Sequence, residues 1–169
     1  MVDESDVLHT LAEVSVAFAG FSGVVAVFGR RDPTTWSFAD RLRFTTLIES
    51  SLIALLFCVL PSCLFALHLS EEAAWRTLSG LFAAYLVFRG VHGPRRIRAA
   101  SSPETAEVSR GAVVIVLFLD GGGLLLNLYN VVLLGELGPF LAALLLLLTK
   151  AGFLFARLLL LSFRGSRAA

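Results

Sequence analysis

Residues 111–134 read GAVVIVLFLDGGGLLLNLYNVVLL, and this run decides the fold. It is apolar and long enough to cross a hydrocarbon core of about 30 Å. It is interrupted by one carboxylate, Asp120, followed by Gly121, Gly122 and Gly123. An ionisable side chain is costly in lipid and faces protein or water instead. Glycines weaken a helix and let other backbones come close. The expectation is that this span sits inside a bundle, with the other helices arranged around it.

The rest of the chain supports a membrane reading. Of its 169 residues, 57% are hydrophobic, and the mean hydropathy is +0.82. The apolar residues fall in long runs, which a soluble domain of this size does not show. The predicted fold class is all-α: one polytopic transmembrane helical bundle over residues 1–169 with five spans, at about 7–29, 44–69, 73–91, 111–134 and 138–163. Ser37 and Asp40 form a capping pair ahead of the second span. Pro61 is expected to kink it, and Ser102-Pro103 to open a helical turn before the fourth. The acidic start (Asp3, Glu4, Asp6) is the opposite of a signal peptide's basic region, so no cleavable leader is expected.

Orientation follows from the basic residues. Arg30, Arg31, Arg41 and Arg43 follow the first span. Arg89, Arg95, Arg96, Arg98 and Arg110 follow the third, and Arg164 and Arg167 end the chain. The opposite side has only Arg76, beside Glu71 and Glu72. The bias places the N-terminus outside and the C-terminus inside. Trp36 and Trp75 fall at span ends, where interfacial anchors sit. Cys58 and Cys63 share one span, point to different faces and are read as free core thiols.

Two packing stripes stand out. Ala12, Ser15, Ala19, Ser22, Ala26 and Gly29 recur every three or four residues along the first span. Small residues let membrane helices approach closely, so the stripe is read as a helix–helix contact, within the chain or between copies. Arg76, Gly80, Ala83, Val87 and Gly90 form a weaker stripe on the third span. No internal repeat points to an inverted-repeat transporter.

Depth, counted at 1.5 Å per residue, pairs the intramembrane charges. Asp120 lies roughly 15 Å from the inner edge, and Lys150 roughly 15–20 Å from the same edge on the next span. Glu49 and Arg157 both lie roughly 10 Å inside, and Glu13 and Arg76 both lie within about two turns of the outer edge. These pairings either neutralise charge and fix register or line a path for protons or cations. Asp120, Gly123, Asn127 and Asn130 share a helix face, read as interhelical hydrogen bonding or as an outward hydrated cavity with unwound glycine backbone.

Other chemistry has little sequence support. His9, Glu13 and His68 are the outer groups closest to a metal set, but no ligand motif is present. Gly20-Phe21-Ser22-Gly23 has the form of a membrane serine-protease string, yet no histidine matches the depth of Ser22. Ser22 is therefore read as packing. No enzyme activity, cofactor or nucleic-acid partner is expected.

The run AEVSVAFAGFSGVVAVFGRR, residues 12–31, leads into Trp36, Asp40, Arg41 and Arg43. It resembles the opening of small bacterial inner-membrane proteins known as hypothetical proteins. The resemblance implies a multi-pass location in the bacterial inner membrane and carries no activity. The Arg-, Ala-, Leu- and Gly-rich composition fits a GC-rich bacterial genome. The function expected from the residues is a homo-oligomer forming a channel or transport path for a small ion or solute. The alternatives are a non-transporting scaffold or accessory subunit of a larger membrane complex, and a metal-binding protein or enzyme.

Overall fold

The computed structural model describes residues 4–29, 37–99 and 109–165. Arg30, Arg31, Trp36, Ser102-Pro103 and Arg167 lie outside the described residues. Those described form five α-helices: α1 (Glu4–Gly29), α2 (Phe38–Ala66), α3 (Glu71–Ala99), α4 (Arg110–Tyr129) and α5 (Leu137–Gly165). A π-helical turn, Asn130–Leu134, continues α4.

Local chemistry explains where these helices begin and stop. The Asp40 backbone N–H donates to the Ser37 hydroxyl at 3.2 Å, satisfying one orphan donor at the start of α2. The Asp40 carboxylate accepts from Arg43 at 2.8 Å. α2 runs unbroken through Pro61 to Ala66, where His68 takes a left-handed conformation (φ 59°) and ends the run. Ser70 then caps α3, its carbonyl accepting from the Ala74 N–H at 2.9 Å. Glu71 and Glu72 sit in the first turn of α3, where carboxylates favour the positive end of the helix dipole.

Four segments are long and apolar enough to cross a membrane: 5–24, 38–66, 110–134 and 137–160. The chain is thus compatible with an integral membrane protein. α3 falls short of that standard because Glu71, Glu72, Arg76, Arg89 and a basic end dilute its apolar middle. α3 is nevertheless packed, burying Trp75, Leu78, Ser79, Phe82, Ala83 and Leu86.

The core corrects the expected arrangement. α5, not the Asp120 helix, is the central element. It buries Phe140, Ala143, Leu144, Leu147, Leu148, Lys150 and Ala151 and touches each of the other helices. α4 is peripheral. Along Arg110–Leu134 it buries only Gly123, Asn127 and Asn130, all of them small or polar. Val114, Phe118, Leu125 and Val132 point outward. The reason is steric: the glycines bring α4 close to α5 along one narrow strip, and its bulky residues fall on the opposite face.

Trp75 also departs from its expected role. It is 4% exposed and packs on Phe65 and Phe140 at ring distances of 5.4 and 5.7 Å, so it is a core residue. Phe57 and Phe82 stack beside it at 4.6 Å. Cys58 is buried, but Cys63 is exposed, so only one of the two thiols belongs to the core.

The α1 stripe is used within the chain. Ser15 and Ser22 are fully buried, Ala12 and Ala19 are half-buried, and α1 lies chiefly along α2. Each buried hydroxyl is satisfied by its own helix: Ser15 donates to the Leu11 carbonyl at 2.7 Å and Ser22 to that of Ala19 at 2.8 Å. Gly29 is the last residue of α1. On α3 the weaker stripe is split, because Gly80 and Ala83 face neighbours while Val87 and Gly90 face out.

Candidate functional site

The charges inside the bundle come from four helices. Lys150 on α5 donates to Asp120 on α4 at 2.5 Å. Lys150 has 0% side-chain exposure and Asp120 has 20%. The short α4–α5 connection makes the two helices antiparallel neighbours, so equal depth becomes contact. Because the ammonium is cut off from solvent, the carboxylate is what makes its burial tolerable.

The second expected pair forms with a different base. Glu49 on α2 pairs with Arg89 on α3 at 2.9 Å, not with Arg157. Arg89 also reaches the Thr46 hydroxyl at 3.4 Å. Arg157 instead lies over the Phe153 ring, 5.9 Å from its centroid and one turn earlier on its own helix. α3 is why the partner changes. It continues as helix to Ala99, so Arg89 belongs to the bundle and not to a loop.

The third expected pair is absent. Arg76 bonds Glu72 at 2.8 Å within α3, and Glu13 is exposed on α1. Arg76 also packs against the turn after α4. A side chain added at Gly135 would meet Glu72 Cγ at 2.7 Å and Arg76 Nε at 2.9 Å, and Gly135 itself has φ 72°. Only glycine suits that position.

The glycine run divides. Gly122 is 3.2 Å (as an added Cβ) from Leu146, and Gly123 is 3.4 Å from Leu86 and 3.8 Å from the Ala143 carbonyl. These two are close-packing points. Gly121 meets nothing within 4 Å and is not one. The helix is continuous through all three, so their carbonyls are not unwound into a cavity.

Backbone irregularity falls about two turns later, at the π turn that begins with Asn130. Its side-chain nitrogen donates to the Ser79 hydroxyl and to the Glu136 carbonyl, both at 2.8 Å. Its oxygen accepts from the Glu136 N–H at 2.9 Å. The Asn130 carbonyl accepts from the Gly135 N–H at 2.8 Å, which closes the π turn. Asn130 is thus a fully bonded staple between α3, α4 and the start of α5. Asn127 is fully buried and donates to the Gly123 carbonyl at 2.8 Å, but its side-chain oxygen has no hydrogen-bond partner.

Two members of the site were not singled out by sequence: Tyr85 and, as a bundle residue, Arg89. They stand one turn apart on α3. The Tyr85 hydroxyl is buried without a well-formed hydrogen bond. It lies against Glu49, within electrostatic reach of Arg89 and Asp120. The signal that would have found both is the i, i+4 spacing of two polar side chains on a helix longer than its hydrophobic run.

His9 and His68 are exposed, as is Glu13. The described residues contain no group of three His, Cys, Asp or Glu side chains placed to hold a metal ion. Comparison with known protein families, with known proteins and with solved structures finds no match to this chain.

Proposed function

We propose that this protein is a bacterial inner-membrane protein that carries a small ion along the polar line Glu49–Arg89, Tyr85 and Asp120–Lys150. One observation carries the reading. Polar and charged side chains from α2, α3, α4 and α5 converge inside an otherwise apolar bundle. Ionisable groups inside a membrane are costly, and ion and proton routes are among the roles that retain them.

In this reading all five helices cross the bilayer. α3, at 29 residues, spans about 43 Å, and its charged ends reach both edges. The arginine bias favours the N-terminus outside and the C-terminus inside. Self-association is supported by α4, whose outward residues Val114, Phe118, Gly121, Leu125, Leu128 and Val132 follow alternating spacings of four and three. That period suits a left-handed seam with a second copy.

The test is flux through purified protein in liposomes. Wild type is expected to pass an ion that empty vesicles do not, and Asp120→Asn to lose it. Equal behaviour of wild type, variant and empty vesicles across protons, common cations and anions sinks the reading.

A second reading, a membrane scaffold or accessory subunit, is favoured by a separate observation. Asp120 and Glu49 are each closed on a base, and Asn130 is fully bonded. Recovery of a stoichiometric larger partner from native membranes supports this reading, and self-association alone argues against it.

A further inference from the structure

Five bases lie within the four membrane-crossing segments: Arg41, Arg43, Arg110, Lys150 and Arg157. Arg41 and Arg110 stand exposed in the first turns of their helices. Arg43 closes on Asp40 at 2.8 Å, and Lys150 closes on Asp120. Arg157 differs from all of these. It is half-buried and lies eight residues before the end of α5 at Gly165, or about 12 Å of helix. Among the described residues no carboxylate pairs with it, and its contact is the Phe153 ring. Phe44, Leu47, Leu154 and Leu158 pack in one cluster, which puts Arg43 and Arg157 beside the same α2–α5 contact. Arg43 and Asp40 cancel there, so Arg157 leaves this end of the bundle one positive charge in excess. A charge in apolar surroundings is costly without a counter-charge.

We infer that Arg157 binds the phosphate of an anionic phospholipid whose acyl chain lies along α5. The inference needs the chain to cross a membrane but not to transport anything. A ring contact uses the face of a guanidinium and none of its five N–H donors. Those donors form a fork that matches two phosphate oxygens. Away from the helix end the same side of α5 turns apolar. Phe153 lies one turn deeper than Arg157. Thr149, one turn deeper again, is exposed but turns its hydroxyl back onto the Leu145 carbonyl at 2.8 Å. One strip thus offers a headgroup donor near the membrane edge and a surface for a tail below it. Basic sites between helices near a membrane edge hold anionic headgroups in this way. An anionic headgroup neutralises the excess charge, whereas a zwitterionic one brings a cation of its own.

The experiment uses the full chain in lipid-free detergent micelles, titrated with phosphatidylglycerol, phosphatidylcholine or inorganic phosphate. Binding is read as the rise in unfolding midpoint and as lipid retained in native mass spectrometry. Wild type is expected to retain phosphatidylglycerol and to gain midpoint from it, with little gain from phosphatidylcholine. Arg157→Gln is expected to weaken that binding about tenfold or more, the effect of losing charge-assisted hydrogen bonds. Arg41→Gln, exposed in the first turn of α2, is expected to leave it within about twofold. Equal weakening by the two variants means a general attraction to the basic end and overturns the site. If Arg157→Gln loses the same stability with and without phosphatidylglycerol, the chain supplies its own counter-charge and the inference fails. Inorganic phosphate stabilising as well as phosphatidylglycerol rules out the lipid as the source. Arg157→Lys keeps the charge but loses the fork, and it decides the case if Arg157→Gln does not fold. Weaker retention is then expected, and wild-type retention overturns the inference.

Discussion

Breaking the Asp120–Lys150 pair from its two ends should give unequal results. Lys150 has 0% side-chain exposure, and its hydrogen bond goes to Asp120. Asp120→Ala therefore leaves an ammonium sealed in the bundle with no counter-charge. Removing one partner of a buried pair in this way costs about 3–5 kcal/mol. Lys150→Met leaves Asp120 behind, but that carboxylate is 20% exposed at the edge of the bundle and is less enclosed than the ammonium. The thioether fills the vacated volume, and the expected loss is only about 1–2 kcal/mol. The double variant has no charge to strand. It should recover about 2 kcal/mol or more relative to Asp120→Ala. Equilibrium unfolding in mixed micelles, followed by near-ultraviolet circular dichroism, gives the three values. Strictly additive losses would refute the contact. Lys150→Met costing more than Asp120→Ala would refute the burial argument.

Three further outcomes follow from the geometry. Asn130→Ala removes three hydrogen bonds and should lower stability by about 2–3 kcal/mol, while Ser79→Ala, which removes one, should cost about 1 kcal/mol; equal losses would mean that the staple is not the source of the effect. Gly135→Ala forces a side chain into a left-handed conformation, at about 1–2 kcal/mol, and displaces Arg76 as well; an unchanged unfolding midpoint would count against the turn. Gly121→Ala, whose added methyl meets nothing, should raise stability by about 0.5–1 kcal/mol, whereas Gly122→Leu, pushed into Leu146, should cost about 1–3 kcal/mol. If both behave alike, the division of the glycine run is wrong.

The sequence made the helices and one ion pair readable, for a definite reason. Asp120 and Lys150 lie on spans joined by a very short turn, so matched depth left them no other neighbour to choose. Glu49 had two bases near its depth, Arg89 and Arg157. Depth does not say which helices touch, so the choice between them lay in the packing of α2 against α3. Arg89 was also hidden by the arginines after it, which read as a basic loop until the helix is seen to run to Ala99. The same limit applies to Tyr85, an unremarkable residue until the packing of α2 on α3 brings Glu49 beside it. The glycine run made α4 look central, because glycine permits close approach on any side. Which side is approached depends on where Phe118, Leu125 and Val132 fall, and they fall outward. The π turn left no periodic mark, since it depends on one Asn130 side chain gripping the backbone of Glu136.

The buried strip of α4 has a consequence for how this helix joins the others. In lipid, an apolar helix sliding along its neighbour gives up little, because tails replace side chains at almost no loss. α4 has no such freedom. Its docking depends on Asp120 meeting Lys150, on Gly122 and Gly123 meeting Leu146 and Leu86, and on Asn130 meeting Ser79. A slip of one residue, about 1.5 Å, misaligns all of them together. The helix therefore has one register that satisfies these contacts together, and a neighbouring register satisfies none of them.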